Sequence, residues 1–144
     1  MKSIVSAMAL LLGLSAVAPA LAGPIEDCTA VRKSREQAFN ERNWDKLMSL
    51  HTRDVQFFAA SVNEVIVGTD ALRNYYVTVI APADSRIQIG EHAASQAAPN
   101  VVLCSGYLVV TIANNKSITR ESLVLVNNNG TWLIAQAHFS RLPK

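Results

Sequence analysis

The chain has 144 residues, half of them hydrophobic and 17% charged, with a formal net charge of +2. That is enough material for one domain with its own core. Acidic and basic residues are interspersed, so there is no strong field to gather nucleic acid or anionic lipid.

Residues 1–22 read as a secretory signal peptide. Met1-Lys2 supplies the positive start, Ile4 to Ala16 the apolar run, and Ala20-Leu21-Ala22 a small-x-small cleavage site. The run is too short for a comfortable membrane span, and Cys28 comes too late for a lipid anchor. The expectation is a mature chain from Gly23 to Lys144, periplasmic or secreted, with no stable membrane association. Its two cysteines, Cys28 and Cys104, suggest a disulfide in an oxidising compartment. Two separate buried thiols are the alternative. No close Cys or His spacing suggests a metal.

Pro24, with Glu26 and Asp27 behind it, suits a first helical turn. Cys28, Val31, Ala38 and Phe39 form a stripe to about Glu41. Arg32, Lys33 and Arg35 spread over what is read as the solvent side. Asn43 caps a second short helix carrying Trp44, Leu47, Met48 and Leu50. Asp54 to Ala60 and Glu64 to Val67 are short strands. Thr69 caps a third helix, Asp70 to about Ile80, which Pro82 closes.

From Ser85 onward the pattern is strands: Arg86 to Ala94, Val101 to Ala113, Lys116 to Val126 and Thr131 to Phe139. Turns fall at Asn114-Asn115 and, as a type I′ signal, at Asn129-Gly130. The fold class is therefore α+β, a curved antiparallel sheet wrapped around three N-terminal helices. On one strand Val101, Leu103 and Val109 lie opposite Cys104, Leu108, Val110 and Ile112; on the next, Ile118, Val124 and Val126 lie opposite Leu123 and Leu125. Both faces of the central strands are apolar, and helices can cover only one. The other face suggests a homodimer through the sheet, with a monomer bearing a scattered apolar surface as the alternative.

The closing strand carries the functional reading. Period-two spacing places Trp132, Ile134, Gln136, His138 and Ser140 on one face, greasy at one end and polar at the other, as a cone-shaped pocket is lined. His138 is the candidate acid or base, with a structural role as the alternative. The Asn129-Gly130 turn puts Glu121, Leu123 and Leu125 on Trp132's side, so Glu121 is a second catalytic candidate, its carboxyl raised by an apolar cone. Gln136, Ser140 and Trp132 are candidate ligand contacts, with ordinary edge roles as the alternative for the two polar ones. Of Tyr75 and Tyr76, one packs in the core and the other can point its hydroxyl inward. Tyr107 is a further ligand candidate whose face depends on the Asn114-Asn115 turn. Arg120 faces the opposite side. His51 and His92 read as loop or edge residues, and Asp54 as a turn or cap.

Two further stretches carry a resemblance: Ala38-Phe39-Asn40-Glu41-Arg42-Asn43-Trp44-Asp45, and Val67-Gly68-Thr69-Asp70-Ala71-Leu72-Arg73-Asn74-Tyr75-Tyr76. With the element order, they resemble the nuclear transport factor 2-like superfamily, a cone that includes ketosteroid isomerases and SnoaL-type cyclases. Gly130-Thr131-Trp132 through His138, Ser140 and Pro143 is similar to bacterial secreted relatives of the calcium/calmodulin-dependent protein kinase II association domain. The resemblance implies a pocket between helices and sheet, and dimerisation through the sheet. The association domain's pocket arginines on its central strands correspond here to Val109 and Leu123, and its first closing-strand histidine to Gln136. Carboxylate binding through those positions is therefore not implied.

No phosphate loop, nucleophile elbow, zinc helix or dinucleotide fingerprint is present, and no cofactor is expected. The sequence reads as an exported, homodimeric protein binding a small, largely apolar or weakly polar ligand in its cone. The alternatives are a cofactor-free isomerase, cyclase or dehydratase with a His or Glu proton shuttle, and a non-catalytic association module.

Overall fold

A computed structural model describes residues 23–142; the expected signal peptide lies outside the described residues. Helix α1 spans Pro24–Asn40 and starts, as expected, with Pro24 in its first turn and Glu26 and Asp27 behind it. Asn43 caps α2, Trp44–Ser49, by accepting from the Lys46 amide at 3.0 Å. Strand β1, His51–Phe58, begins earlier than the expected Asp54, and β2 is the two-residue Ile66–Val67. Gly68, at φ +85°, takes the cap position of α3 in place of Thr69, a conformation that costs glycine nothing.

Helix α3 covers only Thr69–Tyr75. The expected helix to Ile80 does continue, but as a wider π-type turn over Tyr76–Ile80, then a tight 3-10 turn over Ala81–Ala83 that contains Pro82. Four long strands follow: β3 Ser85–Ala98, β4 Val101–Ile112, β5 Asn115–Asn128 and β6 Thr131–Arg141. The β4–β5 turn is Ala113-Asn114, at φ +45° and +69°, one residue earlier than Asn114-Asn115. The β5–β6 turn is the expected Asn129-Gly130, at φ +51° and +88°.

The sheet order is β2-β1-β6-β5-β4-β3. All neighbours are antiparallel except β1 and β6, which run parallel. The sheet is an open, curved six-stranded layer with the helices on one face. Leu47 and Leu72 from the helices meet Val55, Val102, Leu108, Leu123, Leu125 and Ile134 from the sheet in the core. Each such side chain, fully removed from water, contributes about 1.5–3 kcal/mol.

Cys28 on α1 and Cys104 on β4 form a disulfide, 6.0 Å between Cα atoms and 76 residues apart in the chain. It fastens the first helix to the middle of the sheet from inside, since both sulfurs are buried. Among the described residues, no helix is long and apolar enough to cross a membrane.

Two bulges decide where side chains point. In β3 the pairing with β4 shifts between Ile89 and His92, around Gly90-Glu91. In β6, Leu125 pairs with Ile134 but Val124 pairs with Gln136, so Ala135 is an extra residue. A single inserted residue transfers every later side chain of its strand to the other face.

Candidate functional site

The site is built from the concave face. Helix α1 buries Cys28, Val31, Arg32, Arg35, Ala38 and Phe39. The two arginines are therefore inside, not on the solvent side; only Lys33 of the basic cluster is exposed. Directly below them, Glu121 projects inward from β5, buried as the Asn129-Gly130 register predicts. Arg32 Nε donates to Glu121 Oε1 at 2.6 Å, and Arg35 Nη1 donates to Oε2 at 2.5 Å.

Arg32 has a second role. Its Nη1 donates to the Gly90 carbonyl at 3.2 Å and its Nη2 to the Tyr107 carbonyl at 2.8 Å. Gly90 belongs to the β3 bulge, so the guanidinium serves backbone carbonyls beside a break in the ladder. Gly106 makes room for it. A Cβ there would sit 2.7 Å from the Glu91 carbonyl oxygen and 3.0 Å from Arg32 Nη2.

Arg35 is placed differently. Its guanidinium lies over the Phe139 ring, 4.7 Å from the centroid, and its Nε has no hydrogen-bond partner. It lines a cavity of about 150 Å³. Phe39, Phe57, Tyr76, Leu108 and Phe139 form the apolar interior of that cavity, and Ser61, Ile112, Ser117 and Arg141 stand at its mouth. The Tyr76 hydroxyl is also buried, and the Arg35 guanidinium lies against it and acts on it through charge and hydrogen bonding. Burial pushes the Tyr76 hydroxyl above its usual range, while Arg35 pulls it back, so it keeps its proton near neutral pH and is a donor. Burial works to lower the Arg35 guanidinium, but Tyr76 and Glu121 outweigh it and the net direction is upward. Tyr75, one residue earlier, bonds Ser61 Oγ through its hydroxyl at 2.7 Å. The π-type turn begins at Tyr76, and such turns concentrate at functional sites.

The closing strand contributes less than its sequence suggests. Ile134 is buried and Trp132 packs half-buried against the core. Beyond the Ala135 bulge the inward residues are Ala137 and Phe139, not Gln136, His138 and Ser140. Gln136 and Ser140 are half-buried on the outer, convex face, and His138 is exposed there, its ring edge-on to Phe58 at 5.8 Å. The expected one-faced lining is thus corrected by one inserted residue. Tyr107 is corrected too. The turn at Ala113-Asn114 pairs it with Arg120 on the convex face, where it is 45% exposed.

The two catalytic candidates are therefore on opposite faces. His138 is outside the cone. Glu121 is inside, but each of its oxygens is occupied by a guanidinium, so it is no free base. Of the ligand-binding candidates, Tyr76 alone lines the buried cavity.

His51 is neither loop nor edge. It is buried at the start of β1, where Nδ1–H donates to the Leu47 carbonyl at 2.8 Å and Nε2 has no partner. Burial, with the nearby Arg35 charge, takes its pKa down to about 4 despite that hydrogen bond. His92 is half-buried and meets the Thr29 hydroxyl at 2.7 Å.

A sheet curved over three helices with a cavity between them is the nuclear transport factor 2-like fold, and solved structures agree. One is described as a calcium/calmodulin-dependent protein kinase II association domain from Xanthomonas campestris. It superposes with a TM-score of 0.74 at 20% identity, covering 86% of this chain and 94% of that one. A cystatin-like-fold protein from Caulobacter vibrioides gives 0.71 at 14% identity, covering 83% and 90%. A nuclear transport factor 2-like protein from Pseudomonas putida gives 0.70 at 13%, covering 79% and 83%. The SnoaL-like domain family matches residues 31–143, and the chain belongs to that family. No curated protein matches it.

Proposed function

We propose that this protein is an exported small-molecule-binding domain whose ligand enters the cone between α1, the π-type turn and β4–β6. The observation that carries this is the cavity of about 150 Å³ between the helices and the sheet. A side-chain-filled association module would have no reason to keep such a space. The cavity's walls are mostly aromatic and aliphatic, which suits an apolar ligand body. A disulfide in the core supports an oxidising compartment and hence export.

Thermal unfolding in the presence of small apolar compounds tests the reading. A ligand at a hundred times its Kd stabilises the fold by about 2.7 kcal/mol and raises Tm accordingly. Filling the cavity with Leu108→Phe should abolish the response. A broad library that leaves Tm unmoved would remove the proposal.

The convex face supports a homodimer. Leu103, Tyr107 and Ile118 are each more than 40% exposed on it, beside Phe58 and Val124. Exposed apolar groups on adjoining strands are the pattern of a face meant for cover.

A further inference from the structure

We propose that the free edge of the sheet, His92 to Gln96 of β3, pairs antiparallel with the same edge of a second copy of this chain and joins two sheets into one. This contact is separate from the convex face and independent of the cavity.

β3 is the last strand of the sheet, so no strand lies on its outer side. An open edge presents a row of unpaired N–H and C=O groups. Helix α1 answers the first part of that row group by group. The Asn40 side chain accepts from the Ile87 amide at 2.9 Å and donates to the Ile87 carbonyl at 2.8 Å, as a neighbouring strand would. Glu36 Oε2 accepts from the Ile89 amide at 3.1 Å, and Arg32 Nη1 donates to the Gly90 carbonyl at 3.2 Å. Thr29 then meets the His92 ring rather than its backbone. These four residues lie three or four apart on one stripe of α1.

The cover ends there. Ile87 and Ile89 turn their backbone groups outward, and the extra residue at Gly90-Glu91 passes that role to His92, Ala94 and Gln96. Among the described residues, no backbone or side-chain group bonds the outer amides and carbonyls of these three. Ile25, one turn before Thr29 on the same stripe, is a large apolar side chain left 38% exposed.

The sequence of the bare part points to its occupant. Glu91-His92-Ala93-Ala94-Ser95-Gln96-Ala97-Ala98 holds no Lys and no Pro, the residues that keep edges single. With a two-fold axis at Ala94, the two Ala94 residues face each other, His92 of one copy faces Gln96 of the other, and Ala93 faces Ser95. No like charges meet, and the small residues let the backbones approach to the strand spacing of about 4.8 Å. The outer groups of His92, Ala94 and Gln96 are then satisfied in both copies. The axis keeps both α1 helices on one side of the joined sheet, where the two Ile25 side chains can cover each other. A patch that complements itself is what a two-fold contact requires, which favours a second copy over a foreign strand.

Sedimentation of the protein carrying Leu103→Glu and Tyr107→Glu, which charges the convex face, isolates the edge. It should form a dimer as concentration rises, and hydrogen exchange at the His92, Ala94 and Gln96 amides should slow in step. Ala94→Pro deletes an outward amide and leaves the pairing with β4 intact, so it should weaken the dimer ten-fold or more with Tm unmoved. Ser95→Lys, at an exposed position, should do the same without touching the backbone. A convex-face variant that stays monomeric at every concentration would overturn the proposal. So would a dimer that ignores both edge substitutions. Amides that slow only when a peptide of alternating threonine and valine is added would give the edge to a foreign strand and overturn self-pairing.

Discussion

Arg32 on α1 and Glu121 on β5 are 89 residues apart in the chain and meet at 2.6 Å beneath the first helix. With Arg35 on the other carboxylate oxygen, the pair ties α1 to the middle of the sheet. Glu121→Ala would leave two guanidiniums buried and unpaired. The expected loss is about 3–5 kcal/mol of unfolding free energy, measured by urea denaturation. A loss below about 1 kcal/mol would mean the ion pairs are not closed in solution.

The Cys28–Cys104 bond closes a loop of 76 residues. On the chain-entropy model that removes about 4–5 kcal/mol of unfolded-state freedom. Dithiothreitol, or Cys28→Ala with Cys104→Ala, should lower the denaturation midpoint to match. An unchanged midpoint under reducing conditions would show that the helix is held without the bond.

His51 makes stability depend on pH. Its folded pKa is about 4, below the ordinary 6.5 that the unfolded chain has. Above pH 6.5 both states are neutral and the residue has no effect. As pH falls toward 4 the unfolded state takes up a proton that the folded state refuses. Folding therefore weakens across that window, by up to about 3 kcal/mol. His51→Gln should flatten the slope between pH 6.5 and 4 in urea titrations.

His138 supplies the contrast. It is exposed on the convex face, so His138→Ala should change unfolding free energy by no more than about 0.5 kcal/mol and leave any ligand-induced rise in Tm intact. A large loss of binding would mean that the closing strand reaches the ligand after all.

Tyr107 and Leu103 test the convex face. Tyr107→Glu with Leu103→Glu places charge where a second copy would sit. Sedimentation should then show the monomer, with the cavity still able to bind. A wild-type protein that sediments as a monomer at high concentration would dispose of the homodimer.

Much of this architecture was legible because caps and turns are local. Asn43, Asn129-Gly130 and the Pro24 start each act within a few residues, and each holds. The inward direction of Glu121 followed from a turn of known length. The closing strand failed for a non-local reason. The Ala135 bulge arises from pairing across β5, and nothing in Ile134-Ala135-Gln136 marks it.

The two arginines were legible in principle. Cys28, Val31, Arg32, Arg35, Ala38 and Phe39 fall three, four, seven, ten and eleven residues along one stripe, the spacing of a buried helix face. Charged residues within such a stripe mark a buried ionic site. Lys33, between them and exposed, makes the three look like a solvated patch. Tyr76 stood out only as half of a pair, since its place on the cavity wall beside Arg35 depends on packing that local sequence does not encode.

The Ala135 insertion also separates two kinds of change. Substitutions at Gln136, His138 and Ser140 alter what the protein's exterior offers to another molecule, while those on α1 and the Tyr76 turn alter what its interior accepts. Removing that one alanine would exchange the two sets, turning a histidine into the hollow and a phenylalanine out to water, so an engineer could invert the closing strand by a deletion alone.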